Sequence, residues 1–388
     1  MSAAVDLLTA EEELHWLALI LVPGLGTRKA GQLVRQFGTP VAAFRASVSE
    51  LEGAGLAGSV ARSIASGCTF DDAISQQEKV RAAEAQVIPL TDPRYPAALR
   101  EVFDPPVLLF ARGRVELLQS ILLGVVGTRR PTPYGVAAAE RLSADLARAG
   151  LTIVSGMARG IDTTAHKSAL AADGKTVAVF GCGVDNIYPA ENRKLAAEIA
   201  EKGLLISEFP MGAPAYPQNF PVRNRIISGM SVGVLVVEGA QYSGSAITAR
   251  MAAEQEREVF AVPGSIMSKM SWGPNLLIKE GAKLVQDWND VVVELPAEVR
   301  RRLIAAGVQR LLPGEEEAND EDKAAKLELS KASRDVLQRL RADEAIHLDR
   351  IFELMEPCSS SEVIAALFEL EMTGLARQLP GRNYVKVW

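Results

Sequence analysis

The sequence predicts an α/β protein with a doubly wound, mostly parallel central sheet, a helical segment before it and a winged helix after it. Three observations predict this class. Six short apolar runs alternate with helical patterns between residues 121 and 263. Helical spacing without strands precedes them, and three helical patterns with a hairpin follow. A chain of 388 residues is long enough for two to three domains.

Helices fill the N-terminal segment. The stretch LALILVPGLGTRKAGQLVRQFG, residues 17–38, has apolar residues at helical spacing on both sides of a VPGLG turn. Gly24 and Gly26 allow a tight hairpin, and LEGAGLAGSVARSI is a weaker copy of the pattern. We expect residues 1–70 to form a helical domain of the helix-hairpin-helix or SAM-like kind. The amides after Gly26 suit a DNA phosphate, and a domain that only packs against protein is the open alternative.

Strands and helices alternate through residues 71–312. The strands are ILLGVV, LTIVS, TVAVFG, LLISE, VGVLVVE and EVFAVP, and stretches such as PYGVAAAERLSADLARAG connect them as helices. Apolar strands joined by helices indicate a parallel sheet covered on both faces, because parallel strands need crossover connections. This is the Rossmann-like arrangement, in which ligands bind beyond the carboxyl ends of the strands.

The C-terminal segment is separated from the sheet by an acidic stretch. LPGEEEANDEDKAAK predicts a solvated linker over residues 313–330. Residues 331–388 contain three helical patterns and a terminal hairpin, which together predict a winged helix. Its third helix carries Glu362, Glu369 and Glu371 and neither lysine nor arginine. Because DNA-reading helices of this kind lie against phosphates, we do not expect it to read a major groove.

Composition excludes several classes of function. The net charge of −6 argues against a generally basic coat, although local basic clusters can still bind a polyanion. No apolar run approaches the roughly 20 residues of a membrane span, and the first residues lack a signal-peptide pattern, so we expect a cytosolic protein without membrane partners. The three cysteines lack CxxC spacing and the three histidines are scattered. The sequence therefore predicts neither disulfides nor a metal site.

Small and basic residues follow the predicted strands at the edge where ligands bind. Glycine and serine let backbone amides approach an anion closely, and guanidinium groups add charge suited to phosphate. One such loop would be explained by the turn alone, whereas several on one edge predict an anion site. The candidate residues are Gly127, Thr128, Arg129, Arg130, Ser155, Gly156, Arg159, Gly160, Ser243 and Gly244.

The segment FPVRNRIISG, residues 220–229, extends this pattern. Arg223 and Arg225 flank Asn224, and Phe220 comes just before them. Guanidinium groups beside an aromatic ring suit single-stranded nucleic acid, whose phosphates need cations and whose exposed bases need stacking surfaces. An amphipathic helix with locally paired arginines fits the spacing equally well, so both interpretations stay open.

Signals for catalysis and for cofactors are weak. Glu208 and Glu238 end strands and Asp162 begins a helix, so a carboxylate near a phosphosugar could hydrolyse an N-glycosidic bond. Helix capping or pairing with arginine is the simpler role for each. His166 lies four residues after Asp162 and suits a structural hydrogen bond. The GCG motif does not continue as GxGxxG and no P-loop is present, so no cofactor is predicted.

Seven motifs occur in order along the central part: VGTRRPTPYG, SGMARGIDTTAH, VFGCGVDNIYPAEN, SEFP, FPVRNRIISGMS, VVEGAQYSGSAITA and VFAVPG. As a set they resemble the DNA processing protein A family, DprA, also called Smf. The resemblance covers most of residues 95–282. The helical N-terminal part and the winged helix fit accessory domains of some members.

The resemblance implies a protein without enzymatic activity. Members bind single-stranded DNA with little base preference, protect incoming strands during natural transformation and help to load the RecA recombinase. They form homodimers through the Rossmann-like domain. Carried onto this chain, the DNA contacts would come from Arg129, the SGMARG loop, Phe220, Arg223 and Arg225.

Two departures and two alternatives qualify this interpretation. The family usually has a shorter VVEA step and GSLITA, where this chain has VVEGA and GSAITA, which leaves the contacts of that loop open.

An enzymatic alternative is a nucleotide-processing phosphoribohydrolase on a related scaffold. Such enzymes carry PGGxGTxxE, and the corresponding YSGSAIT lacks the glutamate. A regulatory adaptor is the third hypothesis, suggested by the acidic linker and the winged helix.

Overall fold

The computed structural model describes residues 8–241, 243–303, 330–340, 346–355, 358–372, 375–379 and 381–386. The chain divides into two compact units, Met1–Leu311 and Leu312–Trp388. The predicted acidic linker, residues 313–330, lies outside the described residues except for its last one. Within the described ranges, no helix combines the length and the apolar character needed to cross a membrane.

Six helices form the N-terminal part of the first unit. Thr9 and Ser47 begin two of them with capping boxes: each hydroxyl accepts from the N–H three residues on, and Glu12 or Glu50 accepts from the cap's own N–H. Gly24, with φ of +78°, turns the chain between the first two helices. The helices are α1 Ala10–Ile20, α2 Thr27–Phe37, α3 Pro40–Arg45, α4 Val48–Gly53, α5 Gly58–Ala65 and α6 Phe70–Ala82.

A nine-stranded sheet forms the centre of the first unit. Its strands are β1 Gln86–Pro89, β2 Leu108–Gly113, β3 Leu122–Val126, β4 Thr152–Ser155, β5 Lys175–Phe180, β6 Leu204–Ser207, β7 Gly233–Val236, β8 Glu258–Ala261 and β9 Lys283–Leu284. Their order is β1-β2-β6-β5-β4-β3-β7-β8-β9. The strands from β6 to β9 in this order are parallel, whereas β1 and β2 are antiparallel to their neighbours. The predicted Rossmann-like, mostly parallel fold is confirmed.

Helices cover both faces of the sheet. Val177 and Val179 of β5 lie in one buried cluster, and Ala178 and Phe180 lie in the cluster on the opposite face. This alternation follows from the two-residue period of a strand. The helices of this part are α7 Ala97–Arg100, α8 Pro133–Arg148, α9 Ile161–Ala171, α10 Arg193–Lys202, α11 Asn219–Met230, α12 Gly244–Glu254, α13 Trp272–Lys279 and α14 Trp288–Glu294.

The N-terminal helices share one hydrophobic core with a face of the sheet. Leu17 of α1 is fully buried in the same cluster as Phe110 and Phe180 of the sheet. The side-chain amide of Gln76 donates to the carbonyl of Met211 at 3.1 Å and accepts from its N–H at 2.8 Å. The N-terminal helices and the sheet therefore pack as parts of one unit.

The order of the strands places a switch point beside β3. From β3 the chain winds outward through β4, β5 and β6, and then returns to the other side of β3 with β7. The loops that leave β3 and β7 diverge, so a crevice opens between them at the carboxyl ends of the strands. Val126 and Val236, the last residues of these two strands, are direct neighbours in the sheet.

The second unit is a winged helix, as the sequence predicts. Its helices are Lys331–Arg339, Leu348–Leu354 and Ser360–Met372, and its strands are β10 Ile346–His347, β11 Ala376–Leu379 and β12 Asn383–Lys386, in the order β10-β12-β11. Val336, Leu370 and Tyr384 belong to its own buried cluster. The third helix exposes Ile364 and Phe368 on its outer surface, alongside the exposed Glu362.

Candidate nucleic-acid interface

An open groove of about 690 Å³ lies at the switch point, beyond the carboxyl ends of β3 and β7. The loop after β3 forms one wall, and the first turns of α11 and α12 form the other walls. Nine of the residues predicted from the sequence line it: Gly127, Thr128, Arg129, Arg130, Phe220, Arg223, Asn224, Ser243 and Gly244. The structure thus brings together three separate segments of the chain, within residues 127–130, 220–224 and 243–244.

The loop after β3 presents two exposed arginines to the groove. Thr128 donates its N–H to the carbonyl of Glu238 at 2.7 Å, which fixes the loop against the end of β7. Arg129 and Arg130 follow directly, and both side chains are exposed. Among the residues that the structure describes, no carboxylate forms an ion pair with either guanidinium. Both charges are therefore available to a ligand.

A buried carboxylate holds this wall in place. Glu238, which is 1% exposed, accepts from the N–H of Thr132 at 2.8 Å and from its hydroxyl at 2.6 Å. The same hydroxyl accepts from the N–H of Gly135 and so caps α8. A side chain at Gly135 would overlap the Glu238 carboxylate. Glu238 is thus a structural partner of the α8 N-terminus.

The opposite wall carries stacked aromatic and guanidinium groups. The ring of Phe220 on α11 lies 5.5 Å from that of Tyr188, centroid to centroid, at 36°. The guanidinium carbon of Arg129 lies 5.4 Å from the centroid of the Phe220 ring, within the range of a cation–π contact. Phe220 is half-buried and Tyr188 is 47% exposed. This surface is suited to an unpaired base.

Arg223 supplies a buried charge at the floor of the groove. Its Nη1 donates to the carbonyls of Gly156 and Val179, at the ends of β4 and β5. Burial lowers the pKa of the guanidinium to about 10, and the nearby Asp162 carboxylate opposes this shift. Its Nε is buried without a hydrogen-bond partner among the described residues. Arg223 therefore remains a cation whose position is fixed by backbone carbonyls.

The first turn of α12 closes the groove. Ser243 caps this helix, since its hydroxyl accepts from the N–H of Ala246 at 3.4 Å. Gly244 is exposed, and a Cβ there would meet nothing within 4 Å. Amides at the start of a helix have no intrahelical partner and carry partial positive charge. Asn224 reaches this turn through a long hydrogen bond, 3.5 Å, to the carbonyl of Gly244.

Most of the loop after β4 lies beneath the groove and supports it, and Ala158 of this loop lines the groove. A side chain at Gly156 would overlap the Arg223 guanidinium, and one at Gly160 would overlap the backbone of Thr128. Ser155 donates its hydroxyl to the carbonyl of Val125 at 2.6 Å. These residues do not line the groove and instead let its wall and floor pack closely.

The two remaining predicted arginines have carboxylate partners elsewhere. Arg159 is exposed and pairs with Glu191 at 2.7 Å. The Arg225 side chain is 8% exposed, and its guanidinium forms ion pairs with the carboxylates of Glu208 at 2.6 Å and Asp104 at 3.1 Å. The structure places neither of them in the groove lining. For Arg225 it shows the locally paired arginine that the sequence left open as the alternative.

Asp162 and His166 have structural partners as well. Burial raises the pKa of the Asp162 carboxyl, while Arg223 and the N–H groups of Ala158 and Gly156 oppose this shift. His166 is fully buried, its Nδ1 lies 2.7 Å from the Thr176 hydroxyl, and burial lowers its pKa to about 3. Among the described residues, no group of three or more metal-ligating side chains could hold a metal ion.

Sequence reasoning missed one aromatic residue of the groove. Tyr188 stands in the segment between β5 and α10 that crosses to Phe220, and its contribution depends on how that segment folds. A signal was present, since the tyrosine belongs to the VFGCGVDNIYPAEN motif. No residue spacing linked it to the arginines, however.

Two family models match the chain. The model of DNA recombination-mediator protein A matches residues 86–296, and that of the DprA winged helix domain matches residues 320–382. The first match covers the whole groove and more than half of the chain.

Named relatives agree with these models. DNA processing protein DprA of Bacillus subtilis is 46% identical over 54% of this chain and 71% of its own length. Protein Smf of Synechocystis is 34% identical over 96% of this chain and 98% of its own length.

Solved structures also resemble this chain. DNA processing protein A of Streptococcus pneumoniae matches with a TM-score of 0.67 and 35% identity, over 75% of this chain and 99% of its own. DNA processing protein A of Helicobacter pylori, described for its single-stranded DNA binding mode, matches with a TM-score of 0.50 and 30% identity, over 57% of this chain and 97% of its own. The chain belongs to the DNA recombination-mediator protein A family.

Proposed function

We propose that this chain binds single-stranded DNA in the switch-point groove, without strong base preference. The observation that carries the proposal is the placement of Arg129 and Arg130 beside Phe220 and Tyr188. Neither arginine has a carboxylate partner among the residues described by the structure. Cations of this kind bind phosphates, and exposed rings stack on bases. The relative from Helicobacter pylori is described for single-stranded DNA binding, which supports the same ligand here.

The groove suits a strand better than a duplex. Hydrogen bonds from arginines and helix-terminal amides go to phosphate oxygens, which carry no sequence information. The Phe220 ring is available only to a base that has left its pair, because a paired base presents its face to its neighbours in the stack. We therefore expect sequence-tolerant binding with a preference for unpaired nucleotides.

A titration with matched probes tests this proposal. Fluorescence anisotropy would measure the affinity of the full chain for three probes: a thymidine oligomer, a mixed-sequence oligomer and the corresponding duplex. We expect the two single strands to bind with similar affinity and to compete for one site, and the duplex to bind more weakly. Tighter binding of the duplex, or a wide gap between the two single strands, would contradict the proposal.

We further propose that the protein acts as a homodimer which loads a RecA-type recombinase in natural transformation or DNA recombination in the cytoplasm. Membership of a recombination-mediator family supports this role. The exposed side chains of Leu284, on the edge strand β9, and of Trp288, at the start of α14 shortly after it, support self-association through the Rossmann-like part. Sedimentation should show a dimer, and Leu284→Lys should weaken its association. Strand-exchange assays should show faster recombinase loading on DNA that this protein has coated.

We propose that the protein has no catalytic role in this process. The three carboxylates that could serve a phosphoribohydrolase are already engaged: Glu238 with Thr132, Glu208 with Arg225, and Asp162 with backbone amides. Incubation with nucleoside monophosphates should release no free base above a buffer control. Release that is lost in Glu238→Gln would favour the enzymatic alternative.

A further inference from the structure

A second aromatic and cationic surface lies outside the groove, in the same unit. Phe103, in the turn between α7 and β2, is 77% exposed. The guanidinium carbon of Arg28, on the first turn of α2, lies 4.6 Å from the centroid of its ring. A phenylalanine this exposed contributes little to a core, since burial of the ring is what stabilises a fold. Its placement beside a cation suggests a contact with a ligand.

The surroundings of Phe103 are predominantly basic. Arg28 and Arg35 line a small cleft of about 210 Å³ beside the ring, and Arg35 and Arg100 line a wider one of about 630 Å³ on its other side. One acidic side chain, Glu101, lies among the lining residues of the two clefts. In the described part of the chain, neither Arg28 nor Arg35 is within ion-pairing distance of a carboxylate. The charge of this surface complements a polyanion.

This surface adjoins the groove through one ion pair. Asp104, which directly follows Phe103, accepts from the Nε of Arg225 at 3.1 Å. Arg225 directly follows Asn224, which lines the groove. The N-terminal helices share a core with the sheet, so the position of α2 relative to the groove is fixed by packing. Asn224, Arg225 and Asp104 thus connect the groove to Phe103 through adjacent residues and one ion pair.

We propose that Phe103, Arg28 and Arg35 form a second contact for the same single strand, here called the Phe103 platform. One unpaired base stacks on the ring, and the neighbouring phosphates lie against the two arginines. This inference rests on the proposed function of the groove and extends its site onto the N-terminal helices. It assigns a role in DNA binding to a residue outside all seven motifs that identify the family in the sequence.

The test measures, by fluorescence anisotropy, how tightly the full chain binds thymidine oligomers of two lengths. A strand of about 6 nucleotides fills the groove only, and one of about 20 reaches the platform, since comparable sites cover about 4–16 nucleotides. We expect Phe103→Ala to weaken binding of the long strand by about 10-fold, the loss of one stacked base. Binding of the short strand should stay at the parent value.

Matched variants separate stacking from charge. Phe103→Trp keeps an aromatic surface and should keep the affinity for the long strand, with indole fluorescence that the bound strand quenches. Arg28→Ala should weaken binding of the long strand, whereas Arg45→Ala, which removes an exposed arginine from α3 outside both clefts, should not.

The groove variant Arg129→Ala distinguishes the two proposals. If Arg129→Ala weakens both lengths while Phe103→Ala binds both like the parent, the platform is wrong and the groove stands. If Phe103→Ala weakens the long strand while Arg129→Ala changes neither length, the groove assignment is wrong and the platform stands. Equal weakening of both lengths by Phe103→Ala would also contradict a separate second contact.

Discussion

At the scale of single residues, the arginines of this protein divide by their partners. Arg129 and Arg130 are exposed and lack a carboxylate partner in the described chain, whereas Arg223 is held by carbonyls and Arg225 by two carboxylates. The sequence predicted phosphate contacts for all four, because a guanidinium looks the same in a motif whether it faces solvent or an internal acid. Burial and pairing decide the role, and both depend on the fold.

Arg225→Ala should destabilise the fold. The variant would leave the Glu208 carboxylate, whose side chain is 9% exposed, without its guanidinium partner. Removing one partner of a buried ion pair lowers the free energy of unfolding by about 3–5 kcal/mol. Burial raises the pKa of the Glu208 carboxyl, and Arg225 opposes this shift. A raised pKa in the folded state means that the fold favours the protonated acid, so the variant's deficit should be largest at neutral pH and shrink as the pH falls.

Urea unfolding at neutral and at mildly acidic pH measures this effect. Arg141→Ala, which removes an arginine side chain that is 70% exposed on α8, is the control and should change little. Adding Glu208→Gln to Arg225→Ala should recover part of the loss. An Arg225→Ala protein that is as stable as the parent at neutral pH would show that the ion pair is not structural.

Phe220→Ala should weaken binding of single strands by about 1–3 kcal/mol if the ring stacks on a base. The salt dependence of the affinity should stay nearly constant, because no phosphate contact is lost. Phe220→Tyr keeps the ring and serves as the matched control. Anisotropy at several salt concentrations gives both quantities, and a changed slope for Phe220→Ala would argue against simple stacking.

At the scale of elements, the glycine-rich loops have different tasks although their sequences look alike. The loop after β3 and the first turn of α12 face the groove, while the loop after β4 packs under them and contributes only Ala158 to the lining. Local composition predicts that all three lie at one edge of the sheet, which is correct. It does not predict which loop lies on top, because that depends on how α9 and α11 cross the sheet.

Gly156→Ala tests the supporting role of the β4 loop. The added methyl would overlap the Arg223 guanidinium, so we expect a lower free energy of unfolding, together with weaker binding of single strands as Arg223 is displaced. Gly244→Ala is the matched control, because a Cβ there meets nothing within 4 Å, and its stability should equal the parent's within about 0.5–1 kcal/mol. Thermal melts compare the two. Equal stability of Gly156→Ala and the parent would refute the tight packing.

At the scale of the whole molecule, the apolar strand runs predicted the parallel sheet and its switch point because buried parallel strands are continuous hydrophobic stretches. The sequence did not reveal β1, β2 and β9. β9 has two residues. β1 and β2 are antiparallel partners, and only the four-residue helix α7 lies between them, so this lead-in lacks the strand–helix alternation of the parallel part. The shared core of the N-terminal helices and the sheet was also not predicted, since helical spacing shows which side of a helix is buried but not what covers it.

Deleting residues 1–66 should therefore destabilise the sheet. The deletion removes Leu17 and its neighbours from the cluster that contains Phe110 and Phe180, and exposes that face of the sheet to water. Deleting residues 330–388, a separate compact unit with its own core, should leave the melting temperature of the first unit unchanged. Calorimetry of both truncated chains tests this contrast, and a 67–388 chain that melts like the parent would contradict it.

The salt dependence of binding tests the central claim most directly, because it counts phosphates neutralised in the groove. Each lost contact should lower the slope of log affinity against log salt by about 0.7 for single strands. Arg129→Ala combined with Arg130→Ala should weaken binding and lower the slope by roughly 1.4, while Arg141→Ala changes neither. A folded double variant with the parent's affinity and slope would show that the groove at the switch point does not bind the strand.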